Sequence, residues 1–247
     1  LLIMQTFTYS AFVLSLINNS LFIWTSATTK SMPIGRYRYL MTGFAVMDIL
    51  VATTHLVLMP GIQLTSAGYI FFGYHLVEQP AVVGTWAVTL FVIFLYQTFI
   101  ILALHYVYRY AVVCEPRWRK IFAHHTTFWW SCISTCVLIM YTYGYLEAVQ
   151  IGLLPSQYKR EFFHDALLNY SGVDNAKRDF GYFACIFRVI SAFDSVIWQN
   201  DAIAAILIAI SLFGFTAIVI ATCSILIIRK LLMMSVVWFD KMFNYFI

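Results

Sequence analysis

Long apolar runs alternate with short polar segments along the 247 residues of the chain. Five of these runs are long enough to cross a bilayer as helices, because a hydrocarbon core of about 30 Å needs about 20 helical residues. They cover roughly residues 1–27, 39–60, 81–108, 126–150 and 201–228. The runs are continuously apolar, whereas the strands of a membrane barrel are short and alternate in polarity. The pattern therefore predicts an all-α, polytopic membrane helix bundle with five spans.

The composition supports a membrane protein. Hydrophobic residues make up 62% of the chain and charged residues 11%, whereas a soluble domain carries about 25% charged residues. The five cysteines are too few and too scattered for a disulfide framework. No histidine box accompanies the adjacent His124 and His125. We therefore expect a lipid bilayer as the surroundings, and no nucleic acid partner, metal or cofactor.

Basic residues are distributed unevenly among the connections between the runs. They cluster after the first, third and fifth runs, and residues 61–80 contain no Lys or Arg. Because cytoplasmic loops are enriched in Lys and Arg, this alternation predicts an extracellular N-terminus. Residues 155–200 then form a sizeable extracellular loop, in which "NYS" makes Asn169 a candidate glycosylation site. A second sequon, at Asn18, lies within a predicted span and should be out of reach.

An aspartate and a histidine lie within the second run. A charged residue in a span is costly, usually faces the bundle interior and often marks function. Asp48 is therefore either an interhelical hydrogen-bonding residue or a conformational switch or ion site, and the sequence leaves both interpretations open. His55 comes seven residues later and shares nearly the same helical face. We interpret His55 first as a hydrogen-bonded packing residue.

The third run ends close to an arginine. Counting back from Arg109 by helical spacing reaches Phe91, and the two side chains share a face about 27 Å apart along the helix. If Arg109 faces the bundle, this helix could connect an outer cavity to the inner surface. Alternatively, Arg109 only extends to the lipid headgroups. The segment alone fits both interpretations.

Two segments carry a recognisable order of residues. "NNSLFIWTSATTKSMPIGRYRYLM" covers the end of the first span and the first inner loop, and "LHYVYRYAVVCEP" covers the end of the third run. Together they resemble nematode serpentine chemoreceptors of the Str type, or the related Srj type, over roughly residues 15–230. More distantly, Asn19 and Asp48 resemble the intramembrane polar residues in the first two spans of rhodopsin-like receptors. The resemblance implies a seven-span G-protein-coupled receptor.

The end of the third run resembles the Asp-Arg-Tyr region of rhodopsin-like receptors. This implies that Tyr108, Arg109 and Tyr110 contact a heterotrimeric G protein when the bundle opens. Tyr108 replaces the acidic residue, so a carboxylate lock directly before Arg109 is not available. No cysteine lies near the start of the third run to pair with Cys185, so the outer disulfide of rhodopsin-like receptors is absent on this interpretation.

The function that the resemblance implies is olfactory or chemosensory, and not enzymatic. The partner would be a small-molecule odorant, and the location the plasma membrane, with the cilia of sensory neurons as one expected site. By helix face and depth, the candidate pocket residues are His55, Phe91, Leu95 and Tyr96. The alternative is a small multi-pass transporter or channel, for which we would expect repeated halves or helices interrupted by Gly or Pro. The sequence has neither.

The chain departs from the seven-span pattern. Residues 1–230 hold five predicted spans, and the family would continue with a polar inner loop and a sixth span. Residues 231–247 resemble neither of these, are short for a span and form an atypical cytoplasmic tail, such as an amphipathic surface helix. We expect a truncated or mispredicted gene product whose signalling is weak or absent.

Overall fold

The structure is a computed structural model that describes residues 2–29, 37–114, 126–172, 174, 179–190 and 196–246. The described helices are α1 (Leu2–Thr28), α2 (Tyr37–Leu58), α3 (Ala81–Cys114), α4 (Thr126–Ala148), α5 (Gln157–Ser171) and α6 (Asn200–Phe246). The described strands are β1 (Pro60–Leu64), β2 (Gly68–Gly73), β3 (Tyr182–Ile186), β4 (Arg188–Ile190) and β5 (Val196–Trp198). All of these helices except α5 are long and apolar enough to cross a membrane. The predicted helical membrane bundle with five spans is therefore confirmed.

Two of the spanning helices continue further than the apolar pattern suggested. α3 extends to Cys114, past the predicted limit at residue 108. α6 continues without interruption through residues 231–246. This segment contains neither Pro nor Gly, so nothing in its sequence favours a helix end. The boundary that we predicted after residue 230 coincides with no change of secondary structure.

Two connections that the sequence analysis treated as loops contain regular structure. β1 and β2 form an antiparallel hairpin, and β3 from the long fourth connection pairs antiparallel with β2. The register places Ile62 opposite Phe71, and Phe71 opposite Phe183. Aromatic and β-branched residues of this kind pack well on a pleated surface. β4 and β5 form a separate two-stranded sheet. We call the sheet β1–β3 together with helix α5 the cap.

Helix α5 has its own start and stop signals. It begins after Ser156, whose side chain accepts a hydrogen bond from the backbone N–H of Lys159, and it ends at Gly172, which has a φ of 68°. Both are usual residues for these positions. The Lys159 ammonium donates to the carbonyl of Gly152 at 2.7 Å and to that of Leu154 at 2.9 Å. These carbonyls belong to the turn that follows α4, so Lys159 ties α5 to the end of that helix.

Alternation along β2 and β3 gives the sheet two apolar faces. On the first, which we call the helix face, the side chains pack against α5. Its members are Ile70, Phe72, Tyr182, Ala184 and Ile186. On the opposite side, the cavity face, the side chains pack with residues of α3, α4 and α6. Its members are Tyr69, Phe71, Phe183 and Cys185.

The chain forms two compact units. They comprise residues 1–98 with 141–212, and residues 99–140 with 213–247. The first unit contains the cap. Within the second unit, α3 contacts α6, because the rings of Phe99 and Phe213 meet edge to face at 4.8 Å. The thiol of Cys114 also donates to the carbonyl of Leu226 there, at 3.7 Å.

Candidate ligand-binding site

A cavity of about 490 Å³ lies between the cavity face of the sheet and the helices α3, α4 and α6. Its wall on the cap side consists of Pro60, Ile62, Tyr69, Phe71 and Phe183. Its wall on the helix side consists of Phe91, Val92, Leu95, Tyr96, Tyr145, Leu153 and Ala209. None of these lining residues carries a charge, and their side-chain polar atoms are tyrosine hydroxyls. A concave, largely apolar site with few polar groups is typical of small-molecule pockets.

Helical spacing brings the α3 residues of the wall together. Leu95 and Tyr96 follow Phe91 by four and five positions, so all three lie along one side of the helix. These three of the four predicted pocket residues line the cavity. The fourth, His55, stands behind the wall, with its ring centroid 5.8 Å from that of Phe91.

Phe91 sits in the middle of a short chain of aromatic rings. On one side it contacts His55 of α2, and on the other its ring stacks on Phe71 of β2 with centroids 6.1 Å apart. Phe91 is almost fully buried, at 7% exposure. Because aromatic pairs of this geometry attract one another, Phe91 links the cap to two membrane helices.

Contacts around Tyr96 and Gln97 hold the helices of the cavity wall to one another. The ring of Tyr96 stacks on that of Tyr145 with centroids 5.2 Å apart. The Tyr96 hydroxyl donates a hydrogen bond to the carbonyl of Ala209 on α6, at 3.2 Å. At the next position of α3, the amide of Gln97 donates to the hydroxyl of Thr142 on α4, at 2.9 Å. α3 is thus bonded to both α4 and α6 at this level.

The cavity face also carries a phenol and a thiol whose pKa values are raised further by burial. Burial raises the pKa of the Tyr69 phenol to about 12, and the nearby groups Cys185 and Tyr96 act in the same direction. Burial raises the pKa of the Cys185 thiol to about 11, although the ammonium of Lys159 opposes the shift. Both groups are therefore protonated near neutral pH, and they add hydrogen-bonding capacity without charge.

Two glycines attach the cap to the start of α3. A methyl group built on Gly181, just before β3, would overlap the backbone nitrogen of Thr85. A methyl group on Gly84 would lie 2.8 Å from the nitrogen of Gly181. The two backbones therefore touch where any side chain would keep them apart. The five cysteines of the chain all lie in described segments and are thiols, so this contact joins the cap to α3 without a disulfide. Sequence reasoning missed this pair, because neither glycine has a local pattern that marks it.

The polar residues of the first two spans are hydrogen-bonded. The amide of Asn19 donates to the carbonyl of Ser15 at 2.9 Å and to its hydroxyl at 3.1 Å. Asn19 also forms a side-chain hydrogen bond with Asp48. Since Asp48 is half-buried, this bond joins α1 to α2 and gives the carboxyl group a polar partner within the span.

The other predicted site residues do not line the cavity. Arg109 is exposed on α3, five positions before the helix ends at Cys114, and Tyr108 and Tyr110 beside it are half-buried. Asn169 is exposed in the last turn of α5. Among the residues that the structure describes, no group of three or more His, Cys, Asp or Glu side chains could hold a metal ion.

Comparison with known proteins identifies the relatives of this sequence. The family model of the serpentine type 7TM GPCR chemoreceptor Str matches residues 4–237. The match covers almost the whole chain and confirms the resemblance that the first inner loop and the end of the third span had indicated. No match to a curated protein was found.

Proposed function

The chain belongs to the Str family of serpentine seven-transmembrane chemoreceptors, and from that premise we propose that it detects a small, uncharged, largely apolar molecule in the cavity beneath the cap. Membership makes the chain a membrane-embedded receptor of the G-protein-coupled type. The observation that carries the finer proposal is the cavity of about 490 Å³ and its uncharged aromatic and aliphatic lining.

The lining argues against a charged stimulus. Moving an ion from water into an apolar cavity without an opposite charge costs several kcal/mol, and the wall offers no such charge. The hydroxyls of Tyr69, Tyr96 and Tyr145 can instead orient a neutral polar atom. A neutral molecule with a large apolar part and a single polar atom fits this chemistry.

The proposed response is a shift between two arrangements of the helices. A ligand can shift such an equilibrium only by its different affinity for the two arrangements. We place the N-terminus, the cap and residues 155–200 outside the cell, because basic residues cluster in the alternate connections. Arg109 then lies near the cytoplasmic end of α3, where it would contact a heterotrimeric G protein. The plasma membrane, including that of sensory cilia, is the proposed location.

Thermal unfolding in lipid nanodiscs tests the proposed pocket. The full chain should melt at a higher temperature in the presence of neutral eight-carbon compounds (2-octanone, 2-octanol, octane) than without them, because a ligand that binds only the folded state stabilises it. Octylammonium should give no such increase. Equal stabilisation by octylammonium would contradict an uncharged site.

A matched pair of α3 variants locates the binding. Leu95→Trp fills the cavity and should remove the stabilisation by 2-octanone. Leu90→Trp places the same bulk on the outer side of the helix, where Leu90 is 43% exposed, and should leave it intact. If both variants still respond, the compound binds elsewhere.

Nucleotide exchange by a purified G protein tests the role of Arg109. In nanodiscs, in a version of the chain extended to seven spans, Arg109→Ala should reduce the exchange evoked by a stabilising compound, at equal amounts of receptor. Arg109→Lys should restore only part of it, because lysine lacks the planar donor fork of arginine. Full activity of both variants would show that Arg109 has no role in coupling and only extends to the lipid headgroups.

A further inference from the structure

The hydroxyl of Tyr96 bridges two helices on the wall of the cavity. It donates a hydrogen bond from α3 to the backbone carbonyl of Ala209 on α6, at 3.2 Å. Both residues line the cavity. The bond is therefore within reach of any molecule that occupies the cavity.

A tyrosine hydroxyl has a single hydrogen to donate. While Tyr96 bonds to Ala209, it cannot donate to a ligand. The carbonyl of Ala209 has two lone pairs, one of which can serve the hydrogen-bond ladder of α6. Ala209 can therefore lose the tyrosine without becoming an unsatisfied buried group, whereas an acceptor brought by the ligand would gain a partner.

The ring of Tyr96 is held more firmly than its hydroxyl. The ring stacks on Tyr145 at 5.2 Å, and the adjacent Gln97 is bonded to Thr142 of α4. The O–H bond, by contrast, can rotate about the C–O axis without moving the ring. An exchange of hydrogen-bond partner therefore needs no repacking of α3.

We propose that Tyr96 selects ligands that carry a hydrogen-bond acceptor, by exchanging the carbonyl of Ala209 for an oxygen of the ligand. This inference rests on the proposed function, since it takes the cavity as the ligand site. The favoured class is neutral molecules with a ketone, ester or ether oxygen. An alkane of the same size fills the same space but leaves the bond to Ala209 intact.

The exchange of hydrogen-bond partner also connects ligand binding to the contact between α3 and α6. In the empty cavity the Tyr96 bond ties α3 to α6. A ligand that takes the hydrogen removes this tie, so it binds best to arrangements in which α6 is not held at Ala209. An acceptor-bearing ligand and an alkane of equal size therefore differ in their effect on α6, even if both bind.

Infrared difference spectroscopy can observe the proposed bond directly. The probe is 2-octanone labelled with carbon-13 at the carbonyl, added to the full chain in nanodiscs. Ketone dissolved in lipid gives the unshifted carbonyl band, and ketone bonded to Tyr96 should give a second band at lower frequency. Tyr96→Phe removes only the hydroxyl and should abolish the second band. Tyr69→Phe and Tyr145→Phe, at the other tyrosines of the wall, should retain it.

Affinity gives a second, independent measurement. The bond to the ligand replaces the bond to Ala209, so the exchange contributes no more than the roughly fivefold in affinity, about 1 kcal/mol, of a full net hydrogen bond; Tyr96→Phe should lower the affinity for 2-octanone by up to that factor. The same variant should bind octane as before, because octane leaves the bond to Ala209 intact. If Tyr96→Phe no longer binds octane either, the cavity itself is damaged, and the spectra of Tyr69→Phe and Tyr145→Phe decide. A shifted band in both of these variants supports Tyr96 as the donor. Loss of the shifted band in either variant overturns the proposal.

The outcomes separate this inference from the proposed function. If 2-octanone stabilises the chain but the shifted band persists in Tyr96→Phe, another group is the donor and only the role of Tyr96 is wrong. If neutral compounds neither stabilise the chain nor show a shifted band, the cavity is not their site and both proposals fail.

Discussion

The two faces of the cap sheet use similar side chains in opposite ways. On the helix face, Phe72 of β2 and Phe163 of α5 are completely buried, with 0% exposure each. On the cavity face, Phe71, the neighbour of Phe72 in the chain, borders an open space of about 490 Å³. Adjacent residues of one strand therefore have different environments, because side chains alternate across a sheet. The comparison indicates that packing on one face stabilises the cap, while the other face borders the space in which we propose that a ligand binds.

This division has an energetic reason. Burying a large apolar side chain contributes about 1.5–3 kcal/mol, and an unfilled cavity forfeits part of that contribution. A cap with cavities on both faces would be marginal, and a cap packed tightly on both would leave no room for a ligand. α5 covers the helix face and supplies the stabilisation that the cavity face lacks.

The largest expected effect is the loss of packing on the helix face. Phe163→Ala should lower the stability of the cap by about 3–5 kcal/mol, because it removes a fully buried ring and leaves a void. The matched variant Phe71→Ala, at a half-buried position of the cavity face, should cost less, about 1–2 kcal/mol. Thermal unfolding in nanodiscs measures both.

The ligand response should follow the opposite order. Phe71→Ala enlarges the cavity and should change which compounds stabilise the chain, while Phe163→Ala should leave that selectivity unchanged in whatever fraction remains folded. Equal melting temperatures for the two variants would show that the faces do not differ as proposed.

A second effect concerns the attachment of the cap to α3. Gly181→Ala introduces a methyl group that overlaps the backbone of Thr85, so the cap must shift or detach, at a cost of about 1–3 kcal/mol or more. Gly43→Ala is the control, since a methyl group there meets nothing within 4 Å and alanine favours a helix. A protease-accessibility assay on intact cells should show faster cleavage of the cap in Gly181→Ala alone. Identical cleavage in both variants would mean that the glycine contact does not hold the cap.

The spans could be predicted from the sequence, but the cap could not. Continuous apolar runs identify membrane helices without reference to other elements. Besides β1, β2 pairs with β3, which lies more than 100 residues further along the chain, and no local pattern reveals that second pairing. α5 could have been predicted from the sequence, because Ser156 and Gly172 are residue types that commonly start and end helices. We missed it by treating residues 155–200 as a loop.

The candidate site was predictable only on one helix. Helix face and depth selected Phe91, Leu95 and Tyr96 on α3, and all three line the cavity. Apart from Val92, the remainder of the wall comes from β1, β2, β3, α4, the turn after α4 and α6. Its members, such as Tyr145 and Ala209, have no chemical signature and meet α3 only in the folded chain. A single helix can therefore indicate the position of a site, but the chemistry of its wall requires the structure.

A third effect tests whether loss of packing on the helix face also exposes the cavity face. Cys185 is fully buried on the cavity face, and its pKa of about 11 against an ordinary value of 9.0 leaves roughly 100-fold less thiolate at pH 8. In a background without the other cysteines, maleimide should react slowly with the intact cap. The replaced residues would be Cys114, Cys132, Cys136 and Cys223.

Loss of helix-face packing should expose this thiol. Adding Phe163→Ala to that background should speed the reaction of Cys185 by about tenfold or more, because the cap opens more often. Adding Phe71→Ala should accelerate it less. Fast labelling of the unaltered cap would contradict the burial of the cavity face.

The smallest effect on the fold should come from the outer side of α5. Asn169 is exposed there, in the sequon "NYS", and if the cap is extracellular this residue should carry a glycan. Glycosidase treatment of the protein expressed in animal cells should increase its gel mobility, and Asn169→Gln should abolish that shift with little change in melting temperature. Asn18→Gln, in the sequon within α1, should leave the shift intact.

Because a glycan is added only on the lumenal side, a shift that depends on Asn169 requires the cap and the cavity beneath it to face outward. Labelling of a cysteine at position 169 by a reagent confined to the cytoplasm would reverse the proposed topology, and would place the cavity on the wrong side of the membrane for an external stimulus.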